Sequence, residues 1–203
     1  DLYNNMGLIL REMKDYDQSL IFFKKAIQIN PEFSVAFNNL GVVYKDLENI
    51  DEAEKNFLQS IKINSNNSDP YNNLGIIYNN QNQTDKAKEF FYKSLEKNPE
   101  NLQALNNLGN LYKNIGHIEK AEKYFYKAIR INPKFFDTYN NLMVMYERTN
   151  LNDKFKEIID NADKVFSSNK IIKLFLGHYL FKIKKFNESI ECLNQISFSE
   201  NQL

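Results

Sequence analysis

The chain is poor in the residue types on which most active-site chemistry depends. Among 203 residues there is one cysteine, Cys192, no tryptophan, two histidines, His117 and His178, six glycines and four prolines. A single cysteine excludes an intrachain disulfide framework and a cysteine-based zinc site. His178 has no second ligand at metal-binding spacing, and His117 falls in a turn, so neither a metal nor a cofactor is expected. Six scattered glycines do not make a phosphate-cradling loop. Lysine plus arginine and aspartate plus glutamate both number 26, so the basic surplus that a nucleic-acid surface needs is missing. No run of 18 apolar residues could cross a membrane. No signal peptide is evident, and the opening Asp1-Leu2-Tyr3, without an initiator methionine, reads as part of something longer. No serine, cysteine or histidine constellation emerges, so no catalysis of its own is expected.

What is abundant is aromatic and amide side chain. There are 16 phenylalanines, 12 tyrosines and 31 asparagines. The length allows one or two domains with a sizeable core, and the aromatic content argues against global disorder. AT-rich codon usage accounts for a high asparagine total. It does not account for where the asparagines sit.

Self-similarity at a fixed period is the first thing to look for. Asn38-Asn39-Leu40-Gly41 recurs as Asn72-Asn73-Leu74-Gly75 and Asn106-Asn107-Leu108-Gly109, flanked by Asn4-Asn5-Met6-Gly7 and Asn140-Asn141-Leu142-Met143. Other columns hold the same phase. Tyr44, Tyr78, Tyr112 and Tyr146 form one; Ala53, Ala87 and Ala121, flanked by Ser19 and Ser189, form another; Phe23, Phe57, Phe91 and Phe125 form a third. Apolar positions at helical spacing over Asn38 to Lys45, and again over Asp51 to Ile63, predict two helices per repeat. Small residues in the glycine and alanine columns allow the two helices to approach closely. Pro31, Pro99 and Pro133 turn the chain after the second helix. Asp69-Pro70 predicts an aspartate N-cap followed by a proline at the first helical position. Helices this short are marginal alone, so stacking supplies the stability.

The expected fold is all-α: a right-handed superhelical solenoid of tandem helix-turn-helix repeats. Five repeats span about 1–33, 34–67, 68–101, 102–135 and 136–169, and a degenerate sixth spans 170–203. Met143 and Phe155 replace the small residues in repeat five, so its two helices are expected to sit further apart.

Two adjacent columns are asparagine in all of the first five repeats. Asn5, Asn39, Asn73, Asn107 and Asn141 form one ladder; Asn4, Asn38, Asn72, Asn106 and Asn140 form the other. Adjacent helical residues point about 100° apart, so both ladders cannot face the same way. An asparagine amide donates and accepts, so it can hold a peptide unit whatever the side chain there. The alternative use is bonding between neighbouring helices. Asp1, Asp69 and Asp137 precede the pairs in alternate repeats and serve either as caps or as peptide contacts. Arg11, Lys45 and Lys113 lie one turn further along, as contacts or as a solvated rim.

These columns resemble the tetratricopeptide repeat (TPR) family over the whole chain. The usual first-column tryptophan is absent, its place held by Tyr3, Phe37, Tyr71, Leu105 and Tyr139. The resemblance implies that the first helix of each repeat lines a concave face that binds extended segments. The pattern Asp-x-Tyr-Asn-Asn-Leu/Met-Gly is most similar to the repeats of O-linked N-acetylglucosamine transferase and its Spindly-type relatives. By that resemblance, backbone-gripping maps to Asn5, Asn39, Asn73, Asn107 and Asn141, and side-chain contact to Asp1, Asp69 and Asp137. No glycosyltransferase catalytic domain fits in this chain. In co-chaperones of the family, lysines clamp a terminal carboxylate; asparagine holds those positions here, which disfavours that use.

The sixth repeat carries Leu174 and Phe175 where the pair should be, within Ile171-Ile172-Lys173-Leu174-Phe175-Leu176 and close to Phe181. A helix apolar on every side is usually covered, here by further chain, a partner or a second copy. The readings, in order, are an intracellular (cytoplasmic or nuclear) scaffold with a protein or peptide partner in an asparagine-lined groove, the substrate-selecting arm of a larger O-glycosyltransferase, and a module that associates with itself through Leu174, Phe175 and Phe181.

Overall fold

The computed structural model describes residues 2–167 and 169–197; Asp1 therefore lies outside the described residues. Among them the chain forms twelve α-helices and no strand. The helices are α1 (Leu2–Glu12), α2 (Tyr16–Ile29), α3 (Ser34–Asp46), α4 (Ile50–Ile63), α5 (Asp69–Asn80), α6 (Thr84–Lys97), α7 (Leu102–Asn114), α8 (Ile118–Ile131), α9 (Phe136–Arg148), α10 (Asn152–Val165), α11 (Lys170–Lys182) and α12 (Phe186–Ser197). Odd-numbered helices are the first (A) helix of each repeat and even-numbered ones the second (B). The chain divides into two units, residues 1–107 and 108–203, with the division inside α7.

Within each hairpin the small-residue column sets the approach of A to B. A Cβ added at Gly7, Gly41, Gly75 or Gly109 would lie 2.5–2.7 Å from a ring carbon of Phe23, Phe57, Phe91 or Phe125 respectively. Those four rings are essentially fully buried, as are Ala53, Ala87 and Ala121. Where serine replaces alanine it is used: Ser19 Oγ donates to the Gly7 carbonyl and Ser189 Oγ to the Gly177 carbonyl, each at 2.8 Å. In repeat five, Met143 and Phe155 are buried in place of the small residues. There α9 and α10 approach less closely along their length than the helices of the hairpins on either side of the chain's centre, α5–α6 and α11–α12.

The turns follow one scheme. Each A helix ends in a residue with positive φ: Lys14, Glu48, Asn82, Gly116, Asn150 and Lys184. The next N–H then reaches back five residues, as from Asn49 to the Tyr44 carbonyl and from Gln83 to the Tyr78 carbonyl, both at 2.8 Å. This is a Schellman-type ending, which satisfies carbonyls left over at the helix end. Each of the first four B helices ends on an extended asparagine, Asn30, Asn64, Asn98 or Asn132. Its side-chain oxygen accepts the N–H two residues on, at 2.9–3.0 Å. These asparagine turns compete with further helix and redirect the chain. At the start of α5 the cap position is held by Ser68, not Asp69, which is already the first helical residue, so Pro70 stands second in the helix and not first. The reason is local: Asn67 Oδ1 takes the Asp69 N–H at 3.1 Å, which moves the boundary one residue earlier.

In unit 1, α2 packs on α3 and α4 on α5, while α1, α3 and α5 also touch in sequence. The A helices therefore stand side by side and present one face. In unit 2, α8 packs on α9 and α10 on α11.

Candidate functional site

The A-helix face of unit 1 is built around the two asparagine columns, and they behave differently. Asn4, Asn38, Asn72 and Asn106 are buried, at 5–7% exposure. Asn39, Asn73 and Asn107 are half-buried and Asn5 is exposed. The second column reaches across the repeat boundary to the first. Asn39 Nδ2 donates to Asn4 Oδ1 at 2.9 Å, Asn73 to Asn38 at 3.1 Å and Asn107 to Asn72 at 3.0 Å. Every rung spans 35 residues, one repeat plus one position, because the facing residues on adjacent A helices are offset by one. A net gain of about 0.5–1.5 kcal/mol per rung is ordinary for such a bond.

Both columns therefore help to hold neighbouring repeats together. The buried one has little surface left for a ligand. The outer one differs. Asn39, Asn73 and Asn107 each commit one N–H, and an amide has a second N–H and an acceptor oxygen. The rungs do not use those, and the three residues keep partial exposure at regular spacing. Asn141, on α9 in unit 2, is also half-buried.

The remaining candidates fall around this face. Asp69 is exposed, and its Oδ1 accepts from Asn101 Nδ2 at 3.2 Å and Ser68 Oγ at 3.4 Å, so it ties one repeat start to the next. Asp137 is exposed in the first turn of α9. Lys45 is half-buried, and burial holds its pKa below the ordinary lysine value; Asp46 opposes this and Arg11 adds to it. Arg11 Nε donates to Asp46 Oδ2 at 2.7 Å, between α1 and α3. Lys113, in unit 2, donates to Asn110 Oδ1 at 2.7 Å and approaches Asn141 Oδ1 at 3.5 Å. Burial, then the Arg148 charge, lowers its pKa. On the other side of α5, Tyr78 Oη donates to Glu54 Oε1 at 2.6 Å. Burial first and that bond second push the Tyr78 pKa up to about 12.

The sixth repeat presents a second candidate surface. Leu174 and Phe181 are 51% and 60% exposed. They border a cleft of about 510 Å³ lined also by Ile171, Phe175 and Leu193. Phe175 is only half-buried in that cleft wall, because its ring packs edge-on to Phe155 with centroids 6.0 Å apart. α11 is not covered on every side: among its residues Ile172 and Gly177 are buried. His178 Nδ1 lies against Glu147 Oε1 at the cleft edge. Cys192 is buried on the inner side of α12, its Sγ 3.4 Å from the Lys173 carbonyl. Burial raises the pKa of this thiol, which suits a packing role. His117 holds the cap position before α8 and is exposed.

Two features of the site went unread in the sequence. The Asn30, Asn64, Asn98 and Asn132 column is at the same period as the others and was visible as such. The offset-by-one pairing, in contrast, depends on helix geometry and leaves no mark in a single column.

Known structures share the fold. A structure from a functional characterisation of Pseudomonas aeruginosa PilF is 17% identical, with a TM-score of 0.80 over 100% of this chain and 97% of that one. PilW, described as a widely conserved type IV pilus biogenesis factor, is 17% identical with a TM-score of 0.82, covering 100% and 94%. YrrB, described as a TPR protein with an unusual peptide-binding site, is 22% identical with a TM-score of 0.59, covering 84% and 88%. No curated protein matches the chain in sequence. The tetratricopeptide repeat model matches residues 1–33, 34–67, 68–101 and 102–135, which is more than half of the sequence, and the chain belongs to the tetratricopeptide repeat family.

Proposed function

We propose that this chain is a protein-binding scaffold that holds extended segments of partner proteins along its A-helix face. The observation that carries this reading is the series Asn39, Asn73 and Asn107, half-buried and in register, each with one N–H committed to its neighbour. The rungs fix each amide's orientation before a ligand arrives, which lowers the ordering cost of binding. Adjacent packed helices lie about 8–10 Å apart and an extended chain rises about 3.3 Å per residue, so successive asparagines meet about every third peptide unit. Contacts of this kind read backbone and tolerate varied side chains.

The test uses two matched triple variants. Asn39, Asn73 and Asn107 to alanine removes the outer amides; Asn4, Asn38 and Asn72 to alanine breaks the same rungs from the buried side. Both sets should lower the melting temperature by similar amounts. Only the outer set should lose binding on an array of extended peptides. Equal loss of binding in both sets would mean that the rungs are structural only. The narrower reading, a substrate-selecting arm of an O-glycosyltransferase, rests on the tetrad alone. Nothing in the comparisons favours it over a general scaffold.

A second reading, self-association through the sixth repeat, is favoured by exposed Leu174 and Phe181 around the 510 Å³ cleft. Light scattering on wild type and Phe181→Asp tests it. Phe181 is the better probe than Phe175, whose ring packs against its own chain. A wild-type monomer would remove the idea.

A further inference from the structure

The rungs obey an offset of 35 residues, and so does one charged pair seven residues further along the A helices. At the boundary between repeats one and two this position pair is Arg11 and Asp46, an ion pair of 2.7 Å. At the boundary between repeats four and five the equivalent pair is Lys113 and Arg148, two cations. Among the described residues neither has an acidic partner. Lys113 is half-buried and turns to two neutral amide oxygens, of Asn110 and Asn141. Both cations line one cavity of about 350 Å³, together with Asn114, Ile118, Met145 and Thr149. Like charges at one cavity, where a sister boundary carries opposite charges, make a place that favours a carboxylate.

We infer that Lys113 and Arg148 form a carboxylate subsite that takes an acidic side chain of a bound extended segment. This rests on the scaffold reading above and adds to it a preference for acidic peptides. A carboxylate between the two cations makes charge-assisted hydrogen bonds with both, and the arginine can grip it with two parallel donors. It also offsets the two causes that depress the Lys113 pKa, burial first and the Arg148 charge second. Asn141, the member of the outer asparagine column that lies in this unit, is next to Lys113, so the subsite includes one of those amides.

The experiment measures anisotropy with two capped, labelled peptides of equal length, one with glutamate at every third position and the other with glutamine there. Wild type should bind the glutamate peptide about tenfold more tightly, as expected for a charge-assisted contact. The preference should shrink as salt is raised. Arg148→Glu rebuilds the ion pair of repeats one and two; it should abolish the preference without lowering the melting temperature. In parallel, glutarate is titrated into isotope-labelled protein, and amide shifts should change around Lys113 and Arg148. Equal affinity for the two peptides overturns the subsite and leaves the scaffold reading standing. A preference that survives Arg148→Glu also overturns it, because other cations would then carry it. Should neither peptide bind, glutarate shifts at Lys113 and Arg148 uphold the subsite alone, and their absence overturns it.

Discussion

The amide-laddered repeats of unit 1 and the sixth repeat in unit 2 share one hairpin and differ on one face. In repeat one and in repeat six alike, a serine in the small-residue column ties the B helix to a glycine carbonyl at 2.8 Å. Both also end the A helix in a positive-φ residue. What differs is the pair on the A helix: asparagines that rung one repeat to the next, against Leu174 and Phe175. The columns that build the hairpin are thus separate from those that dress its face. The face is free to be polar or apolar without changing the scaffold.

That separation can be broken at the hairpin first. At Gly75 an added Cβ would meet the rigid Phe91 ring at 2.5 Å, while at Gly177 it would meet the flexible Leu193 side chain at 2.7 Å. Gly75→Ala should cost about 1–3 kcal/mol, as overpacking does. Gly177→Ala should cost less, and chemical denaturation of the two variants compares them. Equal costs would mean that the aromatic column is not what sets the fit.

The face comes next. Asn72→Leu leaves the Asn107 amide without its acceptor and should lose about 1–2 kcal/mol. The converse change, Leu174→Asn at the equivalent position, should be close to neutral because Leu174 is exposed. The same melting experiment reads both, and a large loss in Leu174→Asn would show that the sixth-repeat face is already covered.

Smaller still, Ser19→Ala and Ser189→Ala should each lose about 1 kcal/mol, and by equal amounts, since the two bonds match in length and burial. Unequal losses would mean that the hairpin is not one shared scaffold. Least of all in effect is Tyr78, whose counterpart in the sixth repeat is Leu180. Its pKa is raised in the fold, so its bond to Glu54 supports the fold fully below the unfolded tyrosine value near 10. That support is lost as pH rises from there through about 12. Burial also raises the pKa of Tyr139 and Tyr146, so absorbance of the phenolate against pH should show a late-titrating component that loses the Tyr78 share, near 12, in Tyr78→Phe.

The repeat, its period and the paired helices were legible because periodic columns record buried faces directly. The all-α architecture follows from the same columns. The asparagine ladders were legible as columns, but their use was not. One amide type serves as a rung donor, as a buried rung acceptor and as the turn residue at Asn30, Asn64, Asn98 and Asn132, and only geometry separates these. The positive-φ turn column runs Lys14, Glu48, Asn82, Gly116, Asn150 and Lys184, with no single residue type held throughout, so it was silent. The cap before α5 moved by one residue because Asn67 competes for the Asp69 N–H. The charge pairs at an offset of 35 were seen as single basic residues, since one sequence does not show which neighbour each one faces.

The central claim is that the outer asparagines read peptide backbone, and backbone methylation tests it most directly. A binding peptide from the array is compared with a side-chain-scrambled version and with versions N-methylated at successive positions, which removes one backbone donor at a time. The account predicts that scrambling costs little, and that methylation weakens binding at about every third position, in step with the helix spacing. Binding that survives methylation everywhere but is lost on scrambling would contradict it.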